Sequence, residues 1–328
     1  MTRTSSSPNT QQAMLQWLQS LKSAGAATDT LAAYERDVKH LIACYDLPSP
    51  QHYARNHLEF ALSELHARGL QPRSLARLLS AWRNFFNWFS EQYQTGYNPC
   101  LGVHAPKGHY PDPKILSLTQ TQQLLDAASP PENSTAVELR DQALFELLYS
   151  SGLRLSELIL LDIEAHQSQA YTSKAWVDWK EQEVVIATAS ERQRHVPIGT
   201  PALTALTHWV QRRHELLPKA IAQQPELDLA NYYALFLGVR GQRISPRVIQ
   251  KQLQLRAQQA GLNQRVFPHR LRNSFANHLL ESSNDITGVQ QLMGHAMSES
   301  TTSLKQLNPE QLAEFFKAHP RHNPKKDD

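Results

Sequence analysis

Apolar residues recur with helical spacing through the first third of the chain. The clearest stripe lies between Ser74 and Phe89, where they follow one another at intervals of three and four residues. Such a stripe predicts a helix with one buried face. Similar patterns predict three further helices, over Gln12–Leu21, Thr30–Tyr45 and His57–Arg68. We therefore expect a polar tail over residues 1–11 and an N-terminal helical domain over residues 12–96.

A proline-rich segment follows this domain. Between Tyr97 and Pro113 the chain holds four prolines and two glycines. Because proline lacks a backbone N–H and clashes with the preceding helical turn, this stretch cannot form a continuous helix. We predict an extended linker over residues 97–117 and place the domain boundary within it.

The remainder of the chain predicts a mainly α domain with a small antiparallel β-sheet. Helical patterns cover Thr119–Ala128 and Glu138–Ser150. Three short runs of β-branched and aromatic residues then predict strands, at Trp176–Trp179, Val184–Ala187 and His195–Ile198. Ala234–Leu237 fits either a buried strand or the end of a helix. This domain is expected over residues 118–321, followed by a tail over residues 322–328.

The composition is that of a water-soluble globular protein. Of 328 residues, 33 are Lys or Arg and 30 are Asp or Glu, which gives a net charge of +3, and the mean hydropathy is -0.50. No stretch reaches the roughly 18 consecutive apolar residues of a membrane span, and the first residues are polar, so we expect a cytoplasmic protein. The only cysteines, Cys44 and Cys100, predict reduced thiols rather than a disulfide framework.

The basic residues are unevenly distributed. Neither His66–Ser90 nor Leu229–Leu280 contains an Asp or Glu. A surface that keeps one sign of charge suits a polyanion, because contacts to phosphates release condensed counterions. The alternative is a solvated helix face whose acidic partners come from elsewhere in the fold. We predict DNA contacts at Arg73, Arg77, Arg83, Lys107, Arg240, Arg243, Arg247 and Lys251.

Motifs for several other chemistries are missing. The chain has no Gly-x-x-x-x-Gly-Lys-Ser/Thr phosphate loop, no dinucleotide-binding glycine motif, no Gly-x-Ser-x-Gly and no His-Glu-x-x-His. His319 and His322 have a spacing that suits a metal, but a third ligand is not evident. We expect these histidines to lie in a solvated tail, and we expect neither a metal nor a cofactor.

One pair of residues points to phosphate chemistry. The guanidinium of Arg272 can bind two phosphate oxygens, and His269, one helical turn away, can transfer a proton near neutral pH. The pair lies in one of four motifs, which are SSGLRLSEL at 150–158, HRLRNSF at 269–275, HLLESS at 278–283 and VQQLMGH at 289–295. In their order and residues these motifs resemble those of the site-specific tyrosine recombinases, also called the phage integrase family. Within that family they are most similar to the bacterial Xer type.

The resemblance implies a two-domain, C-shaped DNA clamp with a SAM-like, core-binding N-terminal domain. In this family a tyrosine attacks the scissile phosphate without a metal or nucleotide. Arg154 and Arg272 match the arginines that stabilise the phosphate oxygens, His269 matches the proton-handling histidine, and His295 matches a second histidine that hydrogen-bonds the phosphate. The implied partners are double-stranded DNA with paired half-sites and a second Xer-type recombinase in a tetrameric synapse, as in chromosome dimer resolution.

Two positions depart from the family pattern. Ala189 stands where the family has the lysine that protonates the leaving oxygen. Leu304, or Lys305 by a different count, stands where the family has its tyrosine. Other proton donors nearby, His195 and Lys180, would have to be redirected by the fold.

These substitutions predict a DNA-binding recombinase homologue that does not cleave DNA. Two alternatives stay open. One is an active recombinase with a displaced nucleophile, either Ser303 or a group donated by another subunit. The other is a regulator that binds DNA without recombining it. A further departure is the segment Glu164–Lys174, which is longer than the family usually has and carries no recognisable motif.

Overall fold

The computed structural model describes residues 8–107, 115–127, 131–187, 193–294 and 316–321. The chain divides into two compact units, Met1–Pro111 and Asp112–Asp328. The division lies inside the segment 97–117. Several residues named from the sequence lie outside the described parts, namely Ala189, His295, Ser303, Leu304, Lys305 and His322.

Helices make up most of the first unit. They are α1 (Thr10–Ser23), α2 (Thr28–Cys44), α3 (Arg55–Ala67) and α4 (Pro72–Tyr93). The apolar stripe of α4 is buried, and its Phe85 packs beside Trp17 of α1 with 5.4 Å between the ring centroids. Trp82 donates its indole N–H to the carbonyl of Asp37 at 2.7 Å, which ties α4 to α2.

The second unit is built around α6. Its described helices are α5 (Leu118–Asp126), α6 (Ala136–Ser151), α7 (Leu155–Ile159), α8 (Thr200–Arg212), α9 (Lys219–Gln223), α10 (Leu229–Tyr233), α11 (Pro246–Gln259), α12 (Pro268–Ser283) and α13 (Ile286–Leu292). Helix α6 is buried on nearly every side because α8, α11 and α12 pack around it. None of the helices in the described residues is long and apolar enough to cross a membrane.

A four-stranded sheet lies beside these helices. It consists of β1 (Leu161–Asp162), β2 (Ala175–Asp178), β3 (Glu183–Ala187) and β4 (Gln193–Pro197), in that order. Strands β2, β3 and β4 are antiparallel, as predicted, whereas β1 adds a short parallel edge, so the sheet is mixed. The segment from Ala234 to Leu237 is buried and makes isolated bridges at both ends, so it is extended chain after the end of α10.

Gly152 sets the direction of the chain between α6 and α7. Its φ of +57° lies in the left-handed region, where a side chain is disfavoured. A Cβ there would also lie 2.4 Å from Cδ1 of Phe275 on α12. Helix α12 therefore packs directly against the backbone that leads into α7.

Residues 316–321 pack against the same unit. Phe316 is buried, and His319 is only 2% exposed because its ring lies against those of Tyr149, Phe275 and Phe316. The expectation of a solvated His319 is therefore wrong. Arg321 donates to both carboxylate oxygens of the buried Glu146, at 2.6 and 3.2 Å. Within the described residues, no three His, Cys, Asp or Glu side chains form a group that could hold a metal ion.

Candidate phosphate-binding site

Arg154 is held by contacts at the N-terminal end of α7. Its backbone N–H donates to Glu157 Oε2 at 2.7 Å and its Nη1 donates to Oε1 at 2.8 Å. Its Nη2 donates to the carbonyl oxygen of Gly294 at 2.8 Å. The side chain is nevertheless 45% exposed, so an external anion can approach a guanidinium whose position is already fixed.

Arg272 projects from α12 toward the same end of α13. Its Nη1 donates to the carbonyl of Gly152 and its Nη2 to the carbonyl of Met293. Burial, followed by the neighbouring charge of Arg154, lowers the pKa of Arg272 to about 10, so the guanidinium stays protonated at neutral pH. The two predicted arginines thus converge on consecutive carbonyls, those of Met293 and Gly294.

A third arginine, which sequence reasoning missed, completes this cluster. Arg194 on β4 donates from Nη2 to Glu157 Oε2 at 2.9 Å. Glu157 therefore bridges Arg154 and Arg194, although neither Glu157 nor Arg194 was predicted as a site residue. The sequence signal was the i, i+3 spacing of Arg154 and Glu157, which places their side chains on one face of a helix.

The charge balance of the cluster favours an anion. Three guanidinium groups, those of Arg154, Arg194 and Arg272, surround one carboxylate, that of Glu157. Burial by itself would raise the pKa of Glu157, but Arg194 and the hydrogen bonds from Arg154 lower it overall, so the carboxylate is ionised at neutral pH. The cluster keeps a net positive charge after this internal pairing, which suits a phosphate group.

The two predicted histidines have different outcomes. His269 lies in the first turn of α12, one turn before Arg272, and is exposed. Its ring takes part in none of the hydrogen bonds between described residues. His295 directly follows Gly294 in the sequence but lies outside the described residues.

Neither alternative proton donor named from the sequence points into the cluster. His195 pairs through Nδ1 with Glu183, and it lies opposite Val185 on the sheet, so its side chain leaves the opposite face from that of Arg194. Lys180 lies in the turn before β3 and pairs with Glu181 at 3.3 Å. Neither side chain is therefore directed toward the described arginine cluster.

Arg243, which was predicted to contact DNA, makes its hydrogen bonds within the protein. Its Nη2 donates to Asp162 Oδ1 at 2.6 Å and to the carbonyl of Ala230 at 2.7 Å. Its Nη1 donates to the carbonyls of Ile159 and Leu161, at 3.0 Å each. Because the buried carboxylate of Asp162 neutralises its charge and three carbonyls occupy its other η donors, Arg243 is a structural residue, which corrects its prediction as a DNA contact.

Two other predicted basic residues form an open face on α11. Arg247 and Lys251 are exposed and, with Arg265, line a groove of about 660 Å³. Phe267, which is 37% exposed, also lines this groove. None of the described residues that line it is acidic. The face therefore combines free positive charge with an exposed ring, and it directly precedes the start of α12.

The remaining predicted DNA contacts lie in exposed positions, but two of them also hold the fold. Arg73, Lys107 and Arg240 are exposed. Arg77 is half-exposed and pairs with the fully buried carboxylate of Asp37, and Arg83 donates to the carbonyl of Val103. A basic residue of the acid-free segment His66–Ser90 is therefore paired with a carboxylate from α2.

The chain belongs to the phage integrase family, the family of the tyrosine recombinases. It matches this family over residues 114–310 and the N-terminal SAM-like domain of phage integrases over residues 14–92. Within the family, its relatives include proteins called XerC. It is 38% identical to tyrosine recombinase XerC 1 of Ralstonia nicotianae, over 89% of this chain and 88% of that protein. It is 37% identical to XerC of Chromobacterium violaceum, over 94% and 95% of the two chains.

Solved structures of the same fold include proteins bound to DNA. The Tn1549 transposon integrase in complex with circular intermediate DNA has a TM-score of 0.66 and 14% identity, and the match covers 94% of this chain and 98% of that chain. XerH recombinase bound to palindromic difH substrate has a TM-score of 0.65 and 18% identity, and the match covers 89% of this chain and 84% of that chain. A lambda integrase tetramer bound to a Holliday junction has a TM-score of 0.59 and 15% identity, and the match covers 92% of this chain and 81% of that chain. The predicted fold class is therefore confirmed.

Proposed function

We propose that this protein is a Xer-type site-specific recombinase homologue that binds double-stranded DNA in a preformed phosphate pocket and does not cut it. The observation that carries this proposal is the convergence of Arg154 and Arg272 on the adjacent carbonyls of Met293 and Gly294. Hydrogen bonds to these main-chain carbonyl oxygens hold the two guanidinium groups in position to bind the oxygens of a phosphate. Catalysis and tight binding of phosphate both depend on such preorganised cations.

The exposed basic residues would contact the DNA backbone around this pocket. Arg247 and Lys251 on α11, together with Arg265, supply the charge that phosphates need in the second unit. Arg73 and Lys107 would do the same in the first unit. Such contacts fix position on DNA, whereas sequence is read by contacts to bases.

The lack of cleavage follows from the residues at the two substituted positions. Neither Leu304 nor Lys305 can form a phosphotyrosine, and Ala189 cannot protonate a leaving oxygen. The last tyrosine of the chain, Tyr233, stacks on His166 with 4.2 Å between ring centroids, at the end of α10. Its place in α10 supports no role as a replacement nucleophile.

A binding and trapping experiment tests both halves of the proposal. Sites are first selected from a pool of random duplexes, and the selected duplex is then nicked so that any covalent intermediate is trapped. We expect a retarded complex on a native gel with a footprint over two inverted half-sites, and no covalent protein–DNA band on a denaturing gel. A robust covalent band would show an active enzyme with a displaced nucleophile, and a footprint over a single unpaired site would favour a regulator. Failure to select any duplex would refute DNA binding.

We further propose that a second, intact Xer-type recombinase supplies the cleavage in a tetrameric synapse that resolves chromosome dimers in the cytoplasm. Substrate carrying paired half-sites should be recombined by the mixture of the two proteins and not by this protein alone. Arg272→Ala in this chain should lower recombination by the mixture, because the synapse would lose one phosphate contact. Equal recombination with and without this protein would contradict the proposed partnership.

A further inference from the structure

The unexplained segment between β1 and β2 is ordered by its own contacts. Gln167 and Thr172 form an isolated antiparallel bridge, and the N–H of Ser168 donates to the carbonyl of Tyr171 at 2.8 Å. The ring of Tyr171 lies nearly parallel to those of His166 and Tyr233, at interplanar angles of 19° and 5°. The segment therefore places the hydroxyl group of Tyr171 in a defined position.

That hydroxyl group closes a network around a buried ion pair. It donates to Asp162 Oδ2 at 2.8 Å and accepts from Arg243 Nη2 at 3.1 Å. Asp162 is fully buried, so each of its oxygens needs a donor. Burial and the hydrogen bond to Asp162 raise the pKa of Tyr171 to about 12, so the hydroxyl keeps the proton that it donates.

The same arginine holds the C-terminal end of α7. Arg243 Nη1 donates to the carbonyls of Ile159 and Leu161, which are at or just beyond the last turn of that helix. A cation at a helix C-terminus satisfies carbonyls that have no partner within the helix. Because α7 has only five residues, it makes too few internal hydrogen bonds to fix its own orientation. Its position depends on what holds its two ends.

We propose that Tyr171 is a positioning residue for the phosphate pocket. Tyr171 holds Arg243, Arg243 holds the C-terminal end of α7, and α7 carries Arg154 at its other end. The role of Arg154 as a phosphate ligand rests on the proposed function, but the coupling between Tyr171 and α7 does not require DNA. This inference gives the segment Glu164–Lys174 a role that the family resemblance leaves unexplained.

Hydrogen exchange in the absence of DNA tests the coupling. Tyr171→Phe keeps the stacked ring and removes only the hydroxyl. The amides of Leu158 in α7 and of Leu160 just after it should therefore exchange on the order of tenfold faster. The matched control is Tyr233→Phe, which also removes a phenolic hydroxyl from the ring stack but not from the network. Unchanged exchange in α7, or an equal increase throughout the second unit, would overturn the inference.

A double-mutant cycle tests the consequence for DNA. Tyr171→Phe should weaken binding of the selected duplex about two- to tenfold in the wild-type background. In an Arg154→Gln background it should have almost no further effect, because the residue being positioned is already gone. Equal effects in both backgrounds would show a general loss of structure instead. If the wild-type protein binds no duplex, the proposed function fails, while the exchange experiment still decides whether Tyr171 controls α7.

Discussion

Arg194 fills the space that a side chain at position 294 would need. A Cβ built on Gly294 lies 1.8 Å from Arg194 Nη1, and the φ of Gly294 is +61°. The carbonyl of this glycine also accepts a hydrogen bond from Arg154. Arg194 and Gly294 are 100 positions apart in the sequence, yet the close approach of one to the other fixes the end of α13 against the arginine cluster.

Gly294→Ala should therefore damage the pocket beyond the cost of backbone strain. The control is Gly261→Ala, which has a similar φ of +70° but no atom within 4 Å of the added Cβ. We expect Gly261→Ala to lower the free energy of unfolding by about 1 kcal/mol. Gly294→Ala should cost about 2 kcal/mol more, because Arg194 must leave Glu157. Chemical denaturation measures both, and equal losses would contradict the packing described here.

The helical part of the fold follows closely from local patterns. Helix α4 could be predicted because its apolar residues share one face, and the three predicted strands form β2, β3 and β4. Strand β1 could not be predicted, since two residues carry no periodicity and the strand is defined by its pairing with β2 and its bridge to Ala234. The burial of His319 is also a tertiary effect, produced by rings from α6 and α12.

The candidate site was less accessible to sequence reasoning. Motif order identified Arg154 and Arg272, but an acid-free window does not show where each charge points. Arg243 lies in such a window and still meets Asp162, 81 residues away in the sequence. Arg256 lies in the same window and is buried against Gln142 and the ring of Phe145. The alternative of partners from elsewhere in the fold was therefore correct for part of the window.

Loss of Arg321 should destabilise the second unit by leaving a buried carboxylate without its cation. Arg321→Ala removes both hydrogen bonds to Glu146, which is only 2% exposed, and should lower the free energy of unfolding by about 3 kcal/mol at pH 7.5. Burial already raises the pKa of Glu146, and loss of Arg321 should raise it further. A folded-state pKa above the unfolded value means that the folded variant takes up a proton first as the pH falls. The loss should therefore be smaller at pH 5.5 than at pH 7.5.

A second substitution separates the buried charge from simple loss of packing. Adding Glu146→Gln to Arg321→Ala should restore part of the lost stability at pH 7.5, because a neutral amide is cheaper to bury without a cation. It should also remove the additional pH dependence. Thermal unfolding at the two pH values gives this comparison. An equally unstable double variant would show that the arginine acts through its packing.

The basic face of α11 should contribute to DNA affinity mainly through phosphates. Replacing Arg247 and Lys251 together by Ala should weaken binding of selected and unselected duplexes alike. The slope of log Kd against log salt concentration should fall by about 2, since two phosphate contacts are lost. Lys180→Ala is the matched control, because Lys180 is 90% exposed but lies in a turn beside Glu181. A salt slope that is unchanged in the double variant would place the DNA elsewhere.

The proposed function predicts that restoring lysine at position 189 and tyrosine at position 304 gives a protein that cleaves DNA. Ala189→Lys supplies an acid for the leaving oxygen, and Leu304→Tyr supplies a phenol, whose ordinary pKa is about 10 and which arginines beside a phosphate can activate. We expect the protein with both substitutions to form a covalent complex with a nicked duplex, whereas the protein with Ala189→Lys alone should form none. Arg272→Ala in the restored protein should abolish the complex. Combining Ala189→Lys with Lys305→Tyr tests the other alignment of the tyrosine, and only one of the two positions should react. If both restored variants bind DNA and neither reacts, the loss of cleavage has a cause beyond these two side chains.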